Sequence, residues 1–201
     1  MTHKISKKEK ILIATHNLGK AEEFKELFKP YNIETLLSKD FGIPEPEETG
    51  LTFMENSILK AKSGLSSGLT VIADDSGLCV SALNGEPGVF SARLAKKTGG
   101  WIQAMQNIYT RIQRTNSNNF SAKYYCCLTI AWQDGKIKSY LGEITGVIKW
   151  PPVGENGFGY DPFFYPAESL LSFGQMDKSK KMKVDHRSIA FKKIINNHYK
   201  N

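Results

Sequence analysis

Residues 69–78 read Leu-Thr-Val-Ile-Ala-Asp-Asp-Ser-Gly-Leu, an apolar run that ends in two adjacent carboxylates. The apolar half is typical of a buried strand. Aspartate is depleted in strands and costly to bury, so Asp74 and Asp75 are expected where the strand ends. Ligands of α/β proteins bind at such strand ends, and paired carboxylates suit a hard cation, with Mg²⁺ as the first candidate. The alternative is a plain turn in which Asp75-Ser76-Gly77 supplies the turn residues.

Strands and helices are predicted to alternate before this stretch, whereas two consecutive antiparallel strands are predicted after it. Residues 11–14 and 31–37 are predicted as strands, each followed by a helix. The second of these helices starts at Thr52, which forms a capping box with Glu55 three residues later. Farther along, the pattern predicts a helix at 101–114, an antiparallel pair of strands at 120–132 and 136–148, and a last helix at 188–199. This order indicates an α/β fold with a mixed sheet.

The length of 201 residues and a hydrophobic content of 40% fit one domain, or one domain with two lobes. Residues 1–10 are polar and rich in lysine, and they lack the apolar middle of a secretory signal. We therefore expect a solvated extension at 1–10 and a single two-lobed domain at 11–201.

No apolar run approaches the roughly 20 residues needed to cross a bilayer, so no membrane partner is expected. The net charge of +7 favours anionic partners without choosing between nucleic acids and nucleotides.

The three cysteines fit neither a disulfide framework nor a zinc site. Cys126 and Cys127 are adjacent in an apolar stretch, Cys79 lies in another, and the total is odd. We interpret them as buried thiols in a reducing cytoplasm.

A layout suited to phosphate binding follows the first predicted strand. Residues 15–20, Thr-His-Asn-Leu-Gly-Lys, connect that strand to the first helix. Backbone N–H groups at a helix start attract anions, and Lys20 adds a positive charge. The spacing is not that of a Walker loop. The alternative is structural, with Asn17 as an N-cap and Lys20 as a surface residue of the first turn.

Two later segments are candidates for contact with a nucleotide base. Residues 157–162, Gly-Phe-Gly-Tyr-Asp-Pro, place aromatic rings beside glycines, which let a flat ligand approach closely. Asp161 can accept a hydrogen bond from a base N–H. Lys181, His186 and Arg187 precede the last predicted helix and can donate to base carbonyl oxygens. The alternatives are a hydrophobic turn packed under the sheet and a basic flank, although cations are disfavoured at a helix start.

Together these segments resemble the Ham1/RdgB-type family of inosine/xanthosine triphosphate pyrophosphatases, from about residue 11 to residue 194. Each stretch alone is weak, whereas several matches in the family's order are specific. The matching stretches are Ile-Ala-Thr-His-Asn-Leu-Gly-Lys (13–20), Glu-Glu-Thr-Gly-Leu-Thr-Phe-Met-Glu-Asn-Ser-Ile-Leu-Lys-Ala (47–61), Ala-Asp-Asp-Ser-Gly-Leu (73–78), Gly-Glu-Pro-Gly-Val-Phe-Ser-Ala-Arg (85–93), Gly-Phe-Gly-Tyr-Asp-Pro-Phe-Phe (157–164) and His-Arg (186–187).

The resemblance implies an activity and an architecture. The implied reaction is Mg²⁺-dependent hydrolysis of ITP, dITP and XTP to the monophosphate and pyrophosphate, which cleanses the nucleotide pool. The implied fold is an elongated mixed β-sheet flanked by helices, with two lobes and the active-site cleft between them. The protein is expected to be a cytoplasmic homodimer with a purine nucleoside triphosphate as substrate and no stable nucleic-acid partner.

The resemblance also implies roles for single residues. Asp75 is expected to be the general base and, together with Glu47, to hold Mg²⁺, with Glu48 and Asp74 as the alternative ligands. Thr15, Asn17 and Lys20 are expected to hold the phosphates with help from Lys60, and His16 is expected to contact the substrate. Those expected to contact the rest of the substrate are Ser76, the purine-holding Phe158, Gly159, Tyr160 and Asp161, and the readers of the 6-oxo edge, Lys181, His186 and Arg187.

Three departures from the family pattern bear on purine preference rather than on phosphate chemistry. Asp185 replaces the serine of the usual Ser-His-Arg, Ser188-Ile189 replaces the usual pair after it, and Ser57 replaces an alanine. The acid at 185 can raise the pKa of the neighbouring histidine by charge attraction.

Two other functions stay open. A non-catalytic nucleic-acid-binding protein would fit the basic charge, but the acidic pairs would repel phosphates. A Maf-like pyrophosphatase for modified pyrimidine nucleotides would share the chemistry, and the His-Arg ending argues against it.

Overall fold

The computed structural model describes residues 3–200. The strands are β1 (Ile5–Ser6), β2 (Lys10–Ala14), β3 (Glu34–Leu37), β4 (Thr70–Val80), β5 (Ser121–Ala131), β6 (Ile137–Ile148), β7 (Phe164–Pro166) and β8 (Tyr199–Lys200). The helices are α1 (Leu18–Phe28), α2 (Phe53–Gly64), α3 (Ser91–Thr98), α4 (Trp101–Arg114), α5 (Lys178–Val184) and α6 (His186–His198). No helix of this described part of the chain is both long and apolar enough to span a membrane.

The main sheet is mixed, as predicted. It has six strands in the order β3-β2-β4-β5-β6-β7. Strand β2 runs parallel to β3 and β4, whereas β6 and β7 are antiparallel. The register aligns Ala14 with Ala73, so the chain leaves β2 at the level where Asp74 follows in β4. The residues after β2 and the acid pair therefore lie on neighbouring strands.

The chain forms two compact units. The first unit comprises Met1–Asp75, Cys126–Gly142 and Arg187–Asn201, and the second comprises Ser76–Tyr125 and Glu143–His186. Whether they act as one two-lobed domain stays a prediction.

The first unit buries both faces of its strands under helices. Alternate residues of β2, such as Ile13 and Leu12, belong to two different apolar clusters, because successive side chains of a strand point to opposite faces. One cluster includes Phe28 of α1 and Phe191 of α6, whose rings meet edge to face at 4.8 Å. The other includes Ala61 of α2. The expected sheet flanked by helices is thus confirmed.

The second unit has a separate core. Its buried residues come from the later part of β4, from α4 and from the segment around β7. Tyr160 and Phe164 are fully buried there, and Trp101 meets the Tyr160 ring edge to face at 5.1 Å.

Two predictions about the chain's layout were wrong. Strand β4 does not end at the acid pair but continues to Val80, so residues 75–77 are strand and not a turn. Residues 3–10, the described part of the predicted solvated lead-in, are not simply solvated, because Ile5 is completely buried and Ile5–Ser6 pairs in parallel with Tyr199–Lys200. Residues 1 and 2 lie outside the described residues. The sequence pattern also missed α3 and α5.

Candidate active site

The first acid of the pair, Asp74, is a fully buried carboxylate held by cations. Its Oδ2 accepts from Arg187 Nε at 2.9 Å and from the Cys126 thiol at 2.9 Å, and its Oδ1 is paired with the Lys20 ammonium. Burial alone would raise the pKa of Asp74, but Arg187 and Lys20 hold that pKa well below its usual value. Asp74 is therefore a charged anchor for these cations at neutral pH and is poorly suited to take up a proton.

Lys20 reaches Asp74 because α1 starts directly after β2. Asn17 is the N-cap of this helix, and its side chain accepts the Lys20 N–H at 3.1 Å. The Thr15 hydroxyl accepts the Asn17 N–H at 3.1 Å, and His16 Nε2 lies 3.1 Å from the carbonyl of Ile43. The structural interpretation of Asn17 as a cap is thus correct, and a cap leaves the other N–H groups of the helix start available to an anion.

The second acid, Asp75, is held at both of its oxygens by residues of α2. Lys60 Nζ donates to Asp75 Oδ1 at 2.9 Å, and Asn56 Nδ2 donates to Asp75 Oδ2 at 3.3 Å. The two donors are four residues apart and so share one helix face. Burial raises the pKa of Asp75 above its usual value, although Lys60 opposes the shift. A raised pKa suits a carboxylate that has to accept a proton.

Lys60 makes three contacts, all to first-unit oxygens. Its ammonium donates to the Asp74 carbonyl at 2.9 Å, to Asp75, and to Glu48 Oε1 at 2.5 Å. Burial lowers the pKa of Lys60, but Asp75 and Glu48 outweigh burial and raise it overall. All three N–H donors are used, so a phosphate contact by Lys60 would require an exchange of partners. Its contact with phosphate stays a prediction.

The two adjacent acids Glu47 and Glu48 have different surroundings in the structure. Glu48 is half-buried and meets Lys60, whereas Glu47 is exposed. The geometry therefore favours Glu48, the alternative ligand, as the acid that shares a site with Asp75. The predicted pairing of Glu47 with Asp75 stays a prediction.

The donor set fits Mg²⁺. Among residues 3–200, no group of three or more His, Cys, Asp or Glu side chains is arranged to hold a metal ion. Protein Mg²⁺ sites commonly use one or two carboxylates together with water and substrate phosphates. Glu48 and Asp75 supply two carboxylates on the same ammonium, with oxygen donors only.

Arg187 occupies a position that sequence reasoning did not foresee. Its guanidinium bridges Asp74 and Glu23 of α1, and the residue is only 1% exposed. A planar guanidinium with several fixed donors suits such a double contact. Arg187 therefore fastens the start of α6 to α1 and β4. Its expected role as a reader of the purine stays a prediction.

The second unit assembles a smaller cluster around Asp161. Asp161 Oδ2 accepts from Lys181 Nζ at 2.7 Å and from the Phe158 N–H at 2.8 Å. The same ammonium lies 5.1 Å above the Phe158 ring. Gly157 has φ of +74°, and a Cβ there would come within 2.0 Å of Asp161 Oδ2, so the turn requires glycine. The structure thus brings together Phe158 and Asp161, which were predicted to hold the purine, and Lys181, which was predicted to read its 6-oxo edge.

The other predicted residues of the second unit differ in their surroundings. Tyr160 belongs to the core, and its hydroxyl donates to the Ser91 carbonyl at 3.1 Å, so the structural interpretation holds for this ring. Gly159 is half-buried close to Trp101. His186 is buried and stacks on Tyr124 with ring centres 4.5 Å apart. Ser76 is half-buried in β4.

Sequence reasoning missed several side chains that hold the predicted ones. They are Glu23, Asn56, Cys126 and Tyr124. Glu23 lies three residues after Lys20 on the same helix, so the two side chains share one helix face. This spacing is the sequence signal for Glu23. For Cys126 and Tyr124 the sequence carries no signal, because their partners come from distant parts of the chain.

Comparison with known proteins identifies the family of this chain. A sequence model described as the Ham1 family matches residues 11–197. The chain belongs to the Ham1 family. The family predicted from the sequence is thereby confirmed.

Relatives in the Ham1 family cover nearly the whole chain. The dITP/XTP pyrophosphatase of Listeria monocytogenes is 42% identical over 187 residues, covering 92% of this chain and 92% of the relative. The enzyme of the same name from Mesorhizobium japonicum is 39% identical over 201 residues, covering 92% and 91%. Among solved Ham1 structures, that from Coxiella burnetii superposes with a TM-score of 0.85 at 33% identity, covering 94% of this chain and 97% of the other.

Proposed function

We propose that this member of the Ham1 family hydrolyses the α–β phosphoanhydride of non-standard purine nucleoside triphosphates such as dITP, XTP and ITP. The products are the nucleoside monophosphate and pyrophosphate. The observation that carries the proposal is Asp75, a buried acid with a raised pKa that is held at both oxygens, in a chain whose near full-length relatives are named dITP/XTP pyrophosphatases.

In the proposed reaction the first unit supplies the phosphate chemistry. Thr15, Asn17 and Lys20 lie at the start of α1, where backbone N–H groups and the positive charge of Lys20 favour an anion. Asp75 takes a proton from the attacking water, whose oxygen bonds to phosphorus as the anhydride bond breaks, and the electron pair of that bond leaves with pyrophosphate. Bound at Glu48 and Asp75, Mg²⁺ would supply neutralisation of phosphate charge and activation of water.

The second unit is proposed to recognise the base. Phe158 offers a half-buried ring, Asp161 an acceptor and Lys181 a donor. Donors at the 6-oxo position would leave the amino group of adenine facing another donor, and each unmatched buried polar group costs about 1–3 kcal/mol. Discrimination of ITP from ATP therefore needs few contacts.

Three finer statements complete the proposal. We propose that activity depends on Mg²⁺, that the protein is a homodimer, and that it works in the cytoplasm without a stable nucleic-acid or membrane partner. The first is supported by the oxygen donors of Glu48 and Asp75. The other two follow from the resemblance, and sedimentation of the purified protein tests the dimer.

The decisive experiment measures pyrophosphate release from ITP, dITP, XTP, GTP, ATP and TTP, with Mg²⁺ and with EDTA. We expect release from ITP, dITP or XTP with Mg²⁺, none with EDTA, and little from ATP. Phosphorus NMR of the products should show monophosphate and pyrophosphate. Nucleoside diphosphate with orthophosphate would mean attack at the γ-phosphate and would exclude the proposed reaction. Preference for TTP would favour a pyrimidine-directed enzyme instead.

A further inference from the structure

Asn56 is a fully buried amide whose two ends bind different parts of the first unit. Its Oδ1 accepts the N–H of Gly50 at 2.8 Å, and its Nδ2 donates to Asp75 Oδ2 at 3.3 Å. The orientation of the amide is determined by its partners, because the Gly50 N–H needs an acceptor and the Asp75 carboxylate needs a donor. A side chain that lacked either function would lose one of the two contacts.

Gly50 packs so closely against α2 that no side chain fits at position 50. A Cβ at position 50 would lie 2.6 Å from Asn56 Oδ1 and 2.6 Å from the Cβ of Glu55. Any residue other than glycine would therefore push the loop away from α2. That loop carries Glu48 two residues earlier, and Glu48 meets Lys60.

These contacts form a closed ring that runs through Asp75, Lys60, the loop of Glu48 and Gly50, and Asn56. Lys60 binds one oxygen of Asp75 and also Glu48, and Asn56 binds the other oxygen and the loop that carries Glu48. The terminal torsion of an aspartate is broad, so a single donor does not fix the plane of its carboxylate. Two donors on one helix face fix it.

We propose that Asn56 is a positioning residue for Asp75, one that sets the plane of the carboxylate and the distance of the Glu48 loop from it. The proposal rests on the proposed function, in which Asp75 is the general base. Asn56 acts through Asp75 and touches no reacting atom. Its loss should lower kcat more than it raises KM, since substrate contacts of the phosphates and the base stay in place.

The test compares Asn56→Ala with Ser57→Ala. Ser57 is the next residue of α2 and is also fully buried, but its hydroxyl lies 2.6 Å from Thr129 Oγ1 and contacts no acid. Each variant loses one buried hydrogen-bonding side chain from the same helix. We expect Asn56→Ala to lose about 10–100-fold in kcat per folded molecule with KM changed less than about threefold, since misplacement by 1 Å can cost about 10²-fold. Ser57→Ala should keep its kcat.

A double-mutant cycle with Asp75→Asn separates positioning from a general structural effect. If Asn56 acts through Asp75, Asn56→Ala should change the residual rate of Asp75→Asn by less than about threefold. Should Asn56→Ala fail to fold, Asn56→Asp keeps an acceptor for the Gly50 N–H and removes the donor to Asp75, and it should give a loss in kcat that likewise disappears in the Asp75→Asn background.

The outcomes are distinguishable. Equal kcat values for the Asn56→Ala and Ser57→Ala variants, or the full loss repeated in the Asp75→Asn background, would overturn the positioning role while leaving the proposed function intact. An unaltered protein that releases no pyrophosphate from any nucleotide would overturn the proposed function, and the positioning role with it.

Discussion

Replacing Arg187 with alanine tests whether this residue holds the first unit together. Its side chain is 2% exposed and lies between the carboxylates of Asp74, 0% exposed, and Glu23, 7% exposed. After the change Asp74 keeps the Lys20 ammonium and the Cys126 thiol, and both Asp74 and Glu23 lose the guanidinium.

The expected cost is large relative to the stability of a typical domain. Removing one partner of a buried ion pair costs roughly 3–5 kcal/mol, because an uncompensated charge is left buried. Whole domains have about 5–15 kcal/mol of stability. Urea unfolding at neutral pH, followed by circular dichroism, should therefore show a much lower midpoint for Arg187→Ala with an unchanged slope.

Two controls make this result specific. Arg111→Ala removes an arginine whose pair with Glu86 is 34% and 60% exposed, and exposed pairs contribute about 0–1 kcal/mol. Arg187→Met combined with Glu23→Gln removes the cation together with one of its two acids, and should recover part of the lost stability. A loss in Arg187→Ala no larger than in Arg111→Ala would refute the reasoning.

The same variant tests the predicted reading of the purine. If the guanidinium meets the 6-oxo group, folded Arg187→Ala should lose ITP-over-ATP preference in kcat/KM by about 1–3 kcal/mol. If it only anchors Asp74 and Glu23, kcat/KM for both substrates should fall by equal factors. Asp185→Ser, which restores the usual family residue, should leave the ratio unchanged if that departure is tolerated.

Three further predictions concern Asp75, Glu48 and His198. Asp75→Asn should lower kcat about 10²–10⁴-fold in the pyrophosphate assay, as expected for loss of a general base, with folding checked by circular dichroism. Glu48→Gln should raise the Mg²⁺ concentration for half-maximal activity more than Glu47→Gln, because Glu48 is the acid at Lys60. Burial lowers the pKa of His198, so His198 binds a proton more readily in the unfolded chain than in the folded one. The urea midpoint should therefore fall as the pH drops below about 6.5. This fall should be smaller in His198→Gln.

Sequence patterns over a few residues correctly predicted the elements that are stabilised by contacts between residues close together in the chain. The capping box of Thr52 and Glu55 is present, and the helix at 101–114 matches its predicted bounds. Both depend on residues a few positions apart. The continuation of β4 through Asp74 and Asp75 was not predictable in this way. Two strand aspartates are tolerated there only because cations from α1, α2 and α6 meet them.

The candidate site shows the same limit. The resemblance to the family picked out Lys20 and Lys60, which the structure does bring into contact with Asp74 and Asp75. It could not rank Glu47 against Glu48, because adjacent loop residues point in directions that only the folded backbone decides. It also could not foresee that Arg187 would be bound between two carboxylates.

The charge balance of the first-unit site gives a physical reason to expect a metal-dependent reaction. Four carboxylates face three cations there: Glu23, Glu48, Asp74 and Asp75 against Lys20, Lys60 and Arg187. A triphosphate brings about four further negative charges. Lys20 and Lys60 can move to the phosphates only if another cation takes their place on the acids, because a buried carboxylate without a partner is costly. A hard divalent cation meets both needs at once, since it binds carboxylate and phosphate oxygens together. On this argument EDTA should abolish turnover while leaving the ion pairs, and hence the folded state, intact.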